Sequence, residues 1–130
     1  MARSYQELLV WQKAKALAVR IYRETEPFPR SETYGLTSQM RRAAVSVASN
    51  IAEGQGRLTK GEFQQFLGHS RGSLLELSTQ LAIASDLGLL DHQAYLALEH
   101  EAYQVLGLIN RLLESLRTPK IVETLKLSKP

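Results

Sequence analysis

The sequence predicts an all-α protein, an antiparallel up-down-up-down four-helix bundle. Three observations predict it. Four segments carry apolar residues at alternating spacings of three and four, and none shows the sustained period of two that a strand needs. Prolines and glycines punctuate the ends of these segments, at Pro27, Pro29, Gly54, Gly56 and Gly88. The connections from Gly54 to Thr59 and from Gly88 to Asp91 are short, which makes neighbouring helices antiparallel. Seams of this period suit helices crossing at about 20°.

In the first helix, Ser4-Tyr5-Gln6-Glu7 has capping-box spacing. Val10, Ala14, Leu17 and Ile21 then form the seam, widened by Trp11, Ala18 and Tyr22. Pro27 and Pro29 end it, because proline lacks the amide donor and disfavours helix just before it. The second helix begins between Ser31 and Leu36 and has the stripe Leu36, Met40, Ala43 or Ala44, Val47 and Ile51. Gly54 and Gly56 are expected to stop it, as glycine suits the left-handed turn beyond a helix. Thr59-Lys60-Gly61-Glu62 is a capping box for the third helix, whose seam runs from Phe63 through Leu67, Ser70, Leu74, Leu77 and Leu81 to Ala84. Asp91 is a candidate cap for the fourth, with Tyr95, Leu98, Ala102, Val105, Ile109, Leu112 and Leu116 at the same spacing. Thr118-Pro119 is expected to end it. The bundle is therefore assigned to residues 1–118. Residues 119–130 form a loosely ordered tail, docked at most by a short turn through Ile121, Val122 and Leu125.

At 130 residues the chain is one domain able to bury a core without staples. It contains no cysteine, which excludes disulfides, zinc–thiolate sites and a cysteine nucleophile, and which fits a reducing, cytoplasmic setting. No segment approaches the ~20 apolar residues of a membrane span, and the N-terminus has no signal-peptide pattern. The net charge of +3 is unevenly spread: up to Arg57 there are nine basic and five acidic residues. A basic half favours an anionic partner such as RNA or DNA, and equally describes a solvated basic surface.

No catalytic constellation is legible. A di-iron bundle needs Glu-x-x-His on two helices, and this chain has none. His69, His92 and His100 lie apart, so neither a metal nor another cofactor is expected. Gly54-Gln55-Gly56-Arg57 has the composition of a phosphate loop but follows a helix instead of a strand, so it reads as a helix stop. The chain is accordingly expected not to be an enzyme.

Two polar stripes face each other if the turn centres near Leu58. Arg42, Ser46, Asn50 and Glu53 lie on the second helix; Glu62, His69, Ser73, Glu76 and Gln80 lie on the third. Small residues among them would let the backbones approach. The favoured reading is a register-fixing network of Arg42, Ser46, Asn50, Glu53, Ser73 and Glu76, with Arg42 paired to Glu76; the alternative is a ligand site. The fourth helix also carries a second apolar stripe, Leu96, Tyr103, Leu106 and Leu113. A monomer would leave that stripe exposed, which predicts self-association through it.

The segments VWQKA, FPRSETYGLTSQMRRAAVSVASNIAEGQGR, EFQQFL and GSLLELSTQLAIASDLGLL resemble, in order, the four-helix bundle proteins named after intervening sequences in bacterial 23S ribosomal RNA genes. Ala48 departs from that pattern, where the family often has proline. The resemblance implies a homo-oligomeric barrel, with a pentamer expected, and a family with no established enzymatic activity. A related branch serves diversity-generating retroelements, where such bundles bind nucleic acid and a reverse transcriptase. The leading expectation is a nucleic-acid-binding oligomer, RNA favoured, using Arg20, Arg23, Arg41 and Arg57 for phosphate contact. The alternative is a protein-interaction subunit, for example of a reverse transcriptase. Arginines gathered on one surface favour the first; scattered or internally paired arginines favour the second.

Overall fold

Four helices account for most of the chain: α1 (Leu9–Thr25), α2 (Leu36–Gln55), α3 (Lys60–Asp86) and α4 (His92–Ser128). The computed structural model describes the backbone of residues 4–128 and the side chains of residues 4–117. Each helix packs on its chain neighbours, and α1 also packs on α4, which closes the up-down-up-down bundle.

The predicted seams become the core. Leu17, Ile21, Met40, Val47, Ile51 and Leu67 are buried, as are Leu74, Leu77, Leu81, Leu98, Val105 and Ile109. Their three-four spacing puts them on one side of each helix, so a single apolar interior follows.

The ends are less uniform than the sequence reading. Ser4 makes no side-chain cap; Tyr5–Glu7 is a single 3-10 turn and Leu8 is extended, so α1 starts only at Leu9. Thr59 caps α3 as expected: its Oγ1 accepts from the Glu62 amide at 3.1 Å and donates to Glu62 Oε1 at 3.2 Å. Asp91 Oδ1 likewise accepts from the Ala94 amide at 2.8 Å. Gly88 closes α3 with φ of 76°, and the Leu89 amide bonds the Ala84 carbonyl, the left-handed turn for which glycine is suited.

Gly54 and Gly56 do something else. Gly56 has an ordinary helical φ of −81°, so no left-handed turn ends α2. Gly54 lies inside the helix and is buried; a Cβ there would sit 2.8 Å from Phe66 Cβ and 2.9 Å from Phe63 Cδ1. Its missing side chain lets α3 close on α2. The helical backbone of α4 also continues past Thr118-Pro119 to Ser128. A proline deletes one amide donor and crowds the preceding turn, which strains a helix without forbidding it. The docking expected of Ile121, Val122 and Leu125 lies outside the described side chains.

Candidate functional site

The α2–α3 seam is held by small polar groups. Ser70 Oγ is buried and donates to the Val47 carbonyl at 2.7 Å. Ser73 Oγ donates to Ser46 Oγ at 3.0 Å, and Asn50 Nδ2 donates to Ser46 Oγ and to its carbonyl, each at 2.9 Å. These are three of the six residues expected in the network. The others are engaged elsewhere. Glu53 pairs with Arg57 at 3.7 Å, one helical turn away. Glu76 accepts from Gln80 Nε2 at 3.3 Å.

The expected Arg42–Glu76 pair is not formed. Arg42 is exposed, and its Nη2 reaches Ser38 Oγ at 3.4 Å. The two residues border one small cleft of about 130 Å³. Arg42 and Glu76 are both exposed at the edge of that cleft, and an exposed pair gains little over hydration.

The four candidate arginines do not share a surface. Arg20 on α1 reaches across to the Glu101 carboxylate of α4 and lies 3.6 Å from Glu24. Arg57, past the end of α2, lies over the Phe66 ring at 4.6 Å as well as beside Glu53. Arg41 is at the other end of α2, roughly 20 Å away at ~1.5 Å per residue. Arg23 and Arg41 remain on one side of the bundle, facing the α1–α2 junction.

That junction is an open groove. Two clefts of about 600 and 610 Å³ share Tyr22 and Val45 in their walls and so adjoin. One is walled by Tyr5, Trp11, Lys15, Tyr22 and Arg23 over a floor of Ala48, Ser49 and Ala52. The other holds Thr33, Thr37, Ser38, Arg41, Arg42 and Ser46. Four cations and three aromatic rings thus line these two adjoining clefts, together the groove, and no aspartate or glutamate among the described residues lines them.

The lining is pre-arranged. Lys15 Nζ lies 5.4 Å from the Trp11 ring centroid, and Tyr5 meets Trp11 edge-on at 5.1 Å. Arg41 stacks on the Tyr22 ring at 4.6 Å and donates from Nε to Thr25 Oγ1 at 2.9 Å. Its Nη2 also lies 3.4 Å from Glu26, an exposed carboxylate at the groove's outer edge. Cation–π contacts at exposed sites such as these are worth about 0.5–1 kcal/mol, enough to favour these orientations.

Lys15, Arg42 and the aromatic residues were missed by the charge argument. A signal was present: Trp11, Lys15, Ala18 and Tyr22 recur at helical spacing beside the α1 seam. The pairing of Arg20 and Arg57 was legible too, since Glu24 and Glu53 each lie four residues away.

On the opposite side, α3 and α4 meet through Arg71 Nε and Asn110 Oδ1 at 3.0 Å. Leu75 on α3 is exposed there, together with Leu96 and Tyr103 of the predicted second stripe, at 52% and 73%. Leu106 and Leu113 are instead half-buried against the core. Tyr95 lies beside Glu99, whose carboxylate raises the phenol above its ordinary value of 10.0; burial, a hydrogen bond to Glu99 and the charge of Asp86 add to the rise.

No group of histidines and carboxylates among the described residues could hold a metal ion, and no described helix is long and apolar enough to cross a membrane.

Fold and site together define an all-α bundle protein with a cationic groove between its first two helices. The chain belongs to the 23S rRNA-intervening sequence protein family, whose model matches residues 6–111. It is also similar in fold to a crystal structure from Bacteroides thetaiotaomicron VPI-5482, described as a protein of unknown function from the S23 ribosomal protein family. The TM-score is 0.74 at 17% identity, covering 82% of this chain and 99% of that one. At that identity the likeness concerns the fold. A search of curated protein sequences finds no match.

Proposed function

We propose that this protein is a non-enzymatic, cytoplasmic nucleic-acid-binding bundle, RNA favoured, and that the α1–α2 groove is its binding surface. The observation that carries the reading is the lining: Lys15, Arg23, Arg41 and Arg42 with Tyr5, Trp11 and Tyr22, and no acid among them. Cations along a groove neutralise phosphates, and aromatic faces stack bases without demanding a sequence. Trp11 and Tyr22 are eleven residues apart on α1, roughly 16 Å at ~1.5 Å per residue, a span suited to a few nucleotides of single strand. Arg20 and Arg57 do not line the groove, and their pairing with Glu101 and Glu53 weighs toward the interaction-subunit reading. The groove reading rests on Lys15, Arg23, Arg41 and Arg42, of which Arg41 also meets Glu26 at 3.4 Å.

The test is binding of a fluorescent single-stranded RNA across a salt series. Affinity should fall steeply with salt. The combined Lys15, Arg23, Arg41 and Arg42 to glutamine variant should lose binding with its helicity intact, and the paired control Arg20→Gln with Arg57→Gln should keep it. Equal affinity in both variants would overturn the assignment.

A second reading rests on the other side of the bundle. Leu75, Leu96 and Tyr103 expose apolar surface that a second copy, or a protein partner such as a reverse transcriptase, would cover. We propose self-association through this face, with a pentameric ring as the form the family resemblance implies. Leu96→Glu with Tyr103→Glu should yield folded monomers in sedimentation equilibrium. A native chain that is itself monomeric at micromolar concentration would remove the reading. Leu106 and Leu113 are poor choices for this test, since both pack on the core.

A further inference from the structure

We propose that the cleft at the start of α2 is a binding site for a phosphate monoester, as carried by a strand end or by a free nucleotide. The groove is not uniform along its length. Towards Trp11 its walls are aromatic and aliphatic, with one lysine and one arginine on them. Towards Thr33 it becomes a cleft of about 600 Å³ furnished with hydroxyls and two guanidinium groups.

The donors suit a tetrahedral dianion. Arg41 is held in place by Thr25, by the Tyr22 ring and by the Tyr22 carbonyl, at 2.9, 4.6 and 3.3 Å, and its Nη2 also meets the exposed Glu26 carboxylate at 3.4 Å, which a phosphate would have to displace. A pinned guanidinium presents its remaining N–H groups without further loss of side-chain freedom. Arg42 is the opposite: exposed, with a single long contact to Ser38 Oγ among its described hydrogen bonds and ion pairs. Its fork is available to swing onto an anion. Thr37 Oγ1 is withdrawn from solvent and has no hydrogen-bond partner, a cost of about 1–3 kcal/mol unless a ligand or rearrangement supplies one.

The case does not rest on the helix end itself. The first free amide of α2, that of Leu36, is already taken by Glu32 Oε1 at 3.0 Å, and Glu32 does not line the cleft. What the cleft adds is two arginines and several hydroxyls around one volume. A phosphate monoester carries nearly two charges and three strong acceptor oxygens at neutral pH, against one charge on an internal phosphodiester. It is therefore the anion that uses most of these donors. The connection carrying Thr33 borders the cleft, which suits the end of a strand more than its middle. The strand-end source rests on the nucleic-acid reading; the cleft's affinity for the phosphate group does not.

The experiment uses the full chain with three probes: hexauridylate with a terminal phosphate, hexauridylate with hydroxyl ends, and uridine monophosphate. Affinities are read by equilibrium competition, and the backbone amides of Thr37 and Ser38 are followed by NMR. The terminal phosphate should tighten binding by about tenfold or more, the effect of one or two charge-assisted hydrogen bonds. Thr37→Val, outside the groove's contact set, should reduce that gain while leaving the hydroxyl-ended strand bound; Arg42→Gln, inside it, should weaken both strands and bring their affinities together. Uridine monophosphate alone should shift the Thr37 and Ser38 amides. Shifts with the monophosphate but no gain from the strand end support the site and assign it to free nucleotides. Shifts without binding of either strand support the site and remove the nucleic-acid reading. Equal binding of both strands with no shift overturns the site and leaves the groove reading standing. No response to any probe overturns both.

Discussion

Helix α2 has small residues on two sides, and they lead to opposite results. Toward α3, Ser46 and Gly54 let the helices touch: a Cβ at Gly54 would lie within 3 Å of two phenylalanines, and Ser70 bonds directly to the α2 backbone at Val47. Toward α1, Ala48, Ser49 and Ala52 floor a groove of about 610 Å³. The lesson concerns the partner. On the α3 side Phe63 and Phe66 fill the space that the small residues vacate. On the α1 side Trp11 and Tyr22 stand at the groove's walls, each carrying a cation on its ring, and Ala18 between them is too short to reach across. Small residues permit close approach; a fitting knob on the neighbour makes it happen.

The sharpest way to break this contrast is to add volume on the closed side. Gly54→Val places a branched side chain where even one carbon meets Phe66 at 2.8 Å and Phe63 at 2.9 Å. Valine is the better helix former, a gain of a few tenths of a kcal/mol over glycine. Overpacking typically costs 1–3 kcal/mol and wins. Urea unfolding should therefore show a net loss of about 2 kcal/mol. A variant as stable as the native chain would mean that α2 and α3 are free to separate, and the contrast would fail.

How much of this was legible follows from which forces are local. The seams were readable because burial enforces a three-four period, and most predicted seam positions are buried, with Leu36, Phe63, Tyr95, Leu112 and Leu116 half-buried at the margins. The caps at Thr59 and Asp91 were readable because they involve residues three apart. Gly54 was not, since its meaning depends on Phe63 and Phe66 arriving from the next helix. The α2–α3 register was also displaced. With the turn centred on Leu58, Ser46 should face His69; α2 instead runs through Gly54 to Gln55, and Ser46 meets Ser73, one turn on. The site was legible in part, as charge, as the local pairs of Arg20 with Glu24 and Arg57 with Glu53, and as the helical spacing of Trp11, Lys15 and Tyr22. The basic excess of the first half was visible, but which arginines turn outward depends on Glu101 and on the Tyr22 ring, both remote in the chain from the residues they hold.

A smaller effect tests the seam's polar contact. Ser70→Ala removes a buried hydroxyl that donates to the Val47 carbonyl. That carbonyl sits within α2, where it also serves the helix, so no group is left wholly unpaired. The loss should be about 1 kcal/mol, the net worth of an ordinary hydrogen bond. Ser73→Ala, half-buried and bonded only to Ser46, should cost less. If Ser70→Ala were neutral, the seam would be held by packing alone.

The smallest expected effect on stability is on the open side. Ser49 is exposed and lies on the groove floor. Ser49→Leu adds a branched four-carbon side chain at a position with space above it, and leucine is the better helix former. The change in unfolding free energy should be within about 0.5 kcal/mol, as for most surface substitutions. The same volume that cost α2 and α3 their fit is here absorbed by empty groove. Its consequence should appear in binding instead, because the new side chain occupies the floor between Trp11 and Tyr22, where a single strand would lie. Single-stranded RNA affinity should drop at least about tenfold, while the terminal-phosphate cleft, bounded by Thr33 and Arg42, should still take uridine monophosphate. A large loss of stability would show that α1 and α2 are packed more closely than the groove implies. Unchanged strand affinity in a stable Ser49→Leu protein would place the nucleic acid on some other face.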